Sequence, residues 1–151
     1  MKILFSTALF SMTIIGCATP TTRLNAQDLS ALEAFEKICL EFAPSFEGSQ
    51  QASRAAGIND FFEDSAVKKM GFNNGHSLGV QIELNKECVI TTPESKNRTL
   101  TQRFIQTIAR HATEKPALTM PTSAKLGGTT FIFLHDRSRG EAYVMLKAEK
   151  K

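Results

Sequence analysis

Val80-Gln81-Ile82-Glu83-Leu84-Asn85-Lys86-Glu87-Cys88-Val89-Ile90-Thr91-Thr92 is the stretch that decides the fold. Val80, Ile82 and Leu84 alternate with Gln81 and Glu83, the period of a strand with one buried face. Cys88–Thr92 is rich in β-branched residues, and polar residues separate the two runs, so the stretch predicts an antiparallel hairpin. Two registers compete. A two-residue turn at Asn85-Lys86 pairs Glu83 with Cys88 and turns Cys88 to the polar face. A three-residue turn, Asn85-Lys86-Glu87, pairs Leu84 with Cys88 and Ile82 with Ile90. The second is preferred, because a one-residue slip carries a whole apolar set into water.

Downstream, Thr99 and Gln102 open a helix that runs to about His111, with Leu100, Phe104, Ile105, Ile108 and Ala112 on its inner face. Residues 114–128, with Pro116, Pro121, Gly127 and Gly128, read as a long loop. Thr129–His135 and Glu141–Lys147 read as a second hairpin around residues 136–140. The run Phe131-Ile132-Phe133-Leu134 is apolar on both faces, which predicts a central strand.

Upstream, Leu29, Leu32, Phe35, Ile38, Cys39 and Phe42 share one face of a helix over residues 29–43. Ser30 and Glu33 offer a capping box, and Pro44 marks the stop. Ser49–Ala56 reads as a short second helix closed by Gly57-Ile58. A third is expected from Asn59 or Asp60 to Gly71-Phe72, with Glu63 and Asp64 early and Lys68 and Lys69 late, as the helix dipole favours. The expected fold is α+β: N-terminal helices and one further helix packed on an antiparallel sheet of two hairpins.

The chain begins with Lys2, an apolar run from Ile3 to Ile15 broken by Ser6, Thr7, Ser11 and Thr13, and then Ile14-Ile15-Gly16-Cys17. The run is too short to span a bilayer, which takes roughly 20 apolar residues. Ile14-Ile15-Gly16-Cys17 resembles the lipobox of bacterial lipoprotein precursors. The resemblance implies a signal peptide over 1–16, acylation of the Cys17 thiol, and Cys17 as the first mature residue. One acyl chain binds membranes only marginally and two or three hold almost permanently. Ala18 after the cysteine points to the outer membrane, facing the periplasm, where the source is Gram-negative. An ordinary signal peptide with an incidental Cys17, or an uncleaved anchor, is the alternative. Residues 17–27 read as the lipidated cysteine and a polar tether, and 28–151 as a single globular domain.

Removing 16 of the 151 residues leaves 135, enough for one domain with its own core. Only Lys2 is lost from 18 basic residues, so 17 face 15 acidic ones, a balance of +2 with the signs interspersed. That argues against nucleic acid as a partner. Lys147, Lys150 and Lys151 make a modest basic tail. Eleven Phe against one Tyr and no Trp predict a core of Phe, Leu and Ile.

With Cys17 acylated, Cys39 and Cys88 remain, and a pair in an oxidising compartment reads as one disulfide. It would staple the first helix to the sheet. A reactive thiol or two unpaired buried thiols are the alternatives, and an apolar helix face is a poor place for a thiolate. Phe35-x-x-x-Cys39-Leu40 with Glu87-Cys88-Val89-Ile90-Thr91 also resembles a family of small, uncharacterised proteobacterial lipoproteins over residues 29–112. That resemblance implies no activity.

No catalytic residue, metal-ligand set or cofactor is assigned. His76, His111 and His135 lack a local metal spacing such as His-x3-His. Ser77, His111 and Asp136 make a triad on paper but without a nucleophile elbow. Glu63-Asp64 reads as a solvated face, Gly127-Gly128 as a turn, and Asn97-Arg98-Thr99 as a sequon that doubles as a helix cap. The expectation is a non-enzymatic envelope module for a protein or cell-wall partner: an inhibitor, an immunity protein or an assembly-machine component. A sheet edge or residues 114–128 would carry the contact. The alternative is a small hydrolase or ligand-binding domain using His76 or His135 with a carboxylate.

Overall fold

The computed structural model describes residues 26–63, 65–138 and 140–149. Three helices, α1 (Ala26–Phe35), α2 (Ser49–Ala55) and α3 (Leu100–His111), lie on a seven-stranded antiparallel sheet. Its strands are β1 (Ile58–Glu63), β2 (Lys68–Asn73), β3 (Gly79–Glu83), β4 (Glu87–Thr92), β5 (Thr122–Leu126), β6 (Thr129–His135) and β7 (Gly140–Lys147), in the order β1-β2-β3-β4-β7-β6-β5. The α+β class and the bridge between Cys39 and Cys88 stand as expected. The sheet is larger than two hairpins. β1 to β4 form one meander and β5 to β7 another, joined by the β4–β7 ladder.

The segment expected as a third helix is the β1–β2 hairpin. A register shift between Ile58 and Asp60 explains the misreading. The bulge brings Ile58 and Phe61, three residues apart, over the same glycine, Gly71. That spacing imitates a helix face. Gly71 belongs to a strand and is no cap: a Cβ there would come within 2.8 Å of the Phe61 ring, so only glycine lets the ring lie flat on the sheet. The charges read as helix-dipole partners face each other across the hairpin. Glu63 opposes Lys69, with Nζ and Oε1 3.3 Å apart.

A third of the expected loop over 114–128 is also a strand. Thr122, Ala124 and Leu126 are buried in alternation, and a two-residue turn joins them to β6. Gly127 and Gly128 both have positive φ, 53° and 81°, as a type I′ hairpin turn requires.

Both registers considered for β3–β4 are off. Ile82 faces Cys88, Val80 faces Ile90 and Glu83 faces Glu87, so the three-residue turn is Leu84-Asn85-Lys86. Asn85 takes φ 61° at its centre, and Leu84 leaves the ladder to donate its N–H to the Val67 carbonyl. The parity of the preferred register survives: Cys88 shares the buried face with Ile82.

α1 starts earlier than expected, so Ser30 is interior to it and cannot cap, while Glu33 pairs with Lys37 at 2.6 Å. It continues as a π-helical turn over Glu36–Leu40, closed by Glu41 N–H donating to the Glu36 carbonyl. The wider turn lets three consecutive residues, Ile38, Cys39 and Leu40, reach the core. Ser49 of α2 donates its hydroxyl to the Ile38 carbonyl at 2.6 Å and so satisfies a buried acceptor there.

The core lies between the helices and one face of the sheet. Phe35, Ile38 and Phe104 from the helices meet Val80, Ile82, Ile90, Phe131, Phe133, Tyr143 and Met145 from the strands. Phe104 is its hub, with ring centroids 4.9 Å from Phe35, 5.1 Å from Tyr143 and 6.3 Å from Phe133. Among the described residues no helix is long and apolar enough to cross a membrane.

Candidate functional site

Cys17, the segment 1–16 expected as a signal peptide, most of the expected tether and the tail residues Lys150 and Lys151 lie outside the described residues. The other two assigned positions are joined. Cys39 on the π-helical turn and Cys88 in β4 form a disulfide across the core, with Cα atoms 5.6 Å apart and both residues fully buried. Neither sulfur is available as a nucleophile, which removes the reactive-thiol alternative.

The three histidines lie in three different settings. His76, at φ 50° in the β2–β3 turn, stacks on Phe72 at 5.5 Å. His111 ends α3, and its Nε2–H donates to Glu36 Oε1 at 2.8 Å, while Arg110 donates to both oxygens of the same carboxylate. Burial alone would push the Glu36 carboxyl up, but the hydrogen bonds from His111 and Arg110 outweigh it and hold it below its ordinary value. This histidine–carboxylate pair is not one the sequence names. Glu36 and His111 are 75 residues apart, and no local spacing links them.

His135 closes β6 against α3. Thr101 Oγ1 and His135 Nδ1 share a 2.9 Å hydrogen bond, and the imidazole stacks on Tyr143 at 4.8 Å and packs on Phe104. Burial pushes its pKa down to about 4, helped by the Arg137 cation and opposed by Asp136. The imidazole is therefore neutral at pH 7. A histidine with a lowered folded pKa takes its proton more readily when unfolded. Its contribution is intact above the ordinary value of 6.5 and is lost as pH falls from 6.5 towards 4. Discounted for partial solvent screening, the loss is about 2 kcal/mol. Urea unfolding at pH 7 and pH 4.5 should show this fall in the wild type and a smaller one in His135→Gln. Equal falls would contradict the assignment.

The paper triad does not assemble. Ser77 accepts from Asn73 Nδ2, His111 binds Glu36, and Asp136 accepts the Ser138 N–H at 2.8 Å. Glu63 pairs with Lys69. Asn97 uses its Oδ1 for the N–H and hydroxyl of Thr99, an Asx turn ahead of α3, and Thr99 makes no side-chain cap. Among the described residues no group of three or more His, Cys, Asp or Glu side chains converges as a metal site.

The remaining feature is the sheet face that the helices leave open. Phe62, Met70, Gln81, Val89, Val144 and Leu134 follow one another in register across six strands. Gln81 Nε2 donates to Glu87 Oε1 beside Val89, and Val89 and Val144, in the middle of the row, are buried. At the β6–β7 end Ile132 faces Leu146 and Leu134 faces Val144, an apolar block of four. Ile132 and Leu134 stay 40% and 38% exposed. β6 is therefore not the doubly covered central strand the sequence suggests: Phe131 and Phe133 fill the core, and the alternate pair faces outward. The opposite, helical side holds a groove of about 440 Å³ between α1 and α2, floored by Ala34, Ala52, Ala56 and Leu78.

Comparison of the chain with protein-family models, with curated proteins and with solved structures finds no match.

Proposed function

We propose that the protein is a lipid-anchored, non-enzymatic module of the bacterial cell envelope. Cys17 holds it at the outer membrane on the periplasmic side, and the open sheet face engages an envelope protein. The anchor rests on the lipobox resemblance of Ile14-Ile15-Gly16-Cys17. A buried disulfide suits an oxidising compartment. The observation that carries the binding role is the exposed apolar pair Ile132 and Leu134, beside the buried Val144 and the half-buried Leu146, on the sheet face opposite the helices. An antiparallel sheet with one solvated face ordinarily carries polar residues there, and an apolar patch rimmed by polar residues marks a contact site. The sheet edge and residues 114–128, named as contact elements from sequence, coincide in β5, an edge strand two positions from β7. A photo-crosslinking residue at Leu134 should trap one specific partner in cells, and the same probe at Gln106, exposed on α3 on the helical side, should trap it less. Adducts of equal yield and mixed identity at both positions would contradict the role.

The second reading, a small hydrolase or ligand-binding domain, draws support from the His111–Glu36 pair. Both Glu36 oxygens are already engaged by Arg110 and His111, which suits a strut between α1 and α3 better than a general base. Glu36→Gln should then cost about 1–3 kcal/mol of stability. Loss of a hydrolytic activity at unchanged stability would favour the enzyme.

A further inference from the structure

The course of α1 fixes which end of the domain meets the tether. Cys39, past the end of α1, bonds Cys88 near the start of β4. Phe35 packs on Tyr143, which faces Ile90 further along β4. Ala31 borders the cleft formed by Thr92–Ser95, beyond the end of the strand. α1 therefore runs antiparallel to β4, and Ala26 lies at the end where β4 and β6 finish. Cys17 is nine residues before Ala26. A fully extended chain of that length reaches about 30 Å, so an acylated Cys17 keeps this end of the domain close to the bilayer.

The same end carries a cluster of three cations. Lys96 and Arg98, in the segment between β4 and α3, and Arg137, in the β6–β7 turn, line a shallow depression of about 380 Å³ with Ser95, Ser138 and Glu94. The Ser95 N–H donates to the Arg137 carbonyl and ties the two segments together. Among the described residues no carboxylate forms an ion pair with these three cations; at the opposite end Lys69 and Lys86 pair with Glu63 and Glu83, while Lys125 and Lys147 make no such pair and line no common depression with each other. Glu94 is the one carboxylate lining the depression, and the nearby Asp136 is held by the Ser138 N–H. Leu118, 85% exposed, follows Ala117, whose carbonyl accepts from Thr122 where β5 opens at this end.

We propose that this end docks on an anionic bilayer surface, with Lys96, Arg98 and Arg137 on lipid phosphates and Leu118 as an apolar contact beside them. The inference rests on the lipidation of Cys17. It orients the strands along the membrane normal and leaves the open sheet face sideways, accessible to a partner in the same membrane. Each cation near an anionic surface changes affinity by roughly fivefold, and the effect fades within a Debye length.

The test uses the membrane-extracted protein, its intact mass recorded, reconstituted in vesicles of phosphatidylcholine alone or mixed with phosphatidylglycerol. Amine acetylation is read by peptide mass spectrometry at Lys96 and, as reference, at Lys125 at the far end. Lys96 labelling should be about fivefold slower in the anionic vesicles at low salt, recover at high salt, and lose its protection in Arg98→Glu, with Lys125 unchanged. Equal Lys96 labelling in both vesicles on an acylated chain would overturn the docking alone. Protection by inorganic phosphate without phosphatidylglycerol would also overturn it and indicate a free-anion site. A chain without acyl mass would overturn the anchor and the docking together.

Discussion

The double variant Cys39→Ala/Cys88→Ala should lose about 4 kcal/mol of stability. The two cysteines are 49 residues apart in sequence, so the bond removes much of the freedom of the unfolded chain. It also ties the π-helical turn to β4, where Ile38, Cys39 and Leu40 crowd into the core together. Urea unfolding of the variant against the wild type measures the loss. Wild type kept in reductant should move to the same midpoint. A loss below about 1 kcal/mol would mean that native packing holds the turn without the bond.

Phe104→Ala should cost about 4 kcal/mol, the usual range for a fully buried phenylalanine being roughly 3–5. Phe104 anchors α3 to the sheet. Its ring makes edge contacts with Phe35 of α1 and Tyr143 of β7, and it also packs on Phe133 and His135. Removing it opens a void bordered by four rings from three elements, which cannot all collapse inward. Gln106, exposed on the same helix, serves as control, and Gln106→Ala should change stability by less than about 0.5 kcal/mol. A Phe104→Ala variant within about 1 kcal/mol of the wild type would show that α3 is held by Leu100, Ile105 and Ile108 instead.

Sequence and structure part where two local signals compete. α3 was legible because Leu100, Phe104, Ile105 and Ile108 form one stripe and nothing contradicts it. The disulfide was legible because the compartment the lipobox resemblance implies and the patterns around Cys39 and Cys88 point to the same pairing. The β1–β2 hairpin was hidden by its bulge, which shifts Ile58 and Phe61 to a helical spacing, and by charges whose order suits a helix dipole as well as a cross-strand pair. β5 was hidden because its inward residues include Thr122 and Ala124, too weakly apolar to make alternation visible. Gly127-Gly128 did carry the hairpin signal. The register of β3–β4 was missed by two residues because a positive φ at Asn85 is invisible in composition.

The candidate sites divide the same way. The Glu36–Arg110–His111 cluster and the Thr101–His135 bond join residues far apart in sequence, so only the fold brings them together. The run Phe131–Leu134 announced apolar residues on both faces, but whether a second layer covers β6 is a property of the sheet. The cationic end depends on where the β4–α3 segment and the β6–β7 turn meet, which charge counting along the chain cannot reveal.

The intact mass of the membrane-extracted protein, alkylated with and without prior reduction, is the decisive measurement for a lipid-anchored envelope domain stapled by one disulfide. The expected chain begins at Cys17, carries acyl mass, and takes up two alkyl groups only after reduction. A full-length or unacylated chain that alkylates without reduction would contradict it.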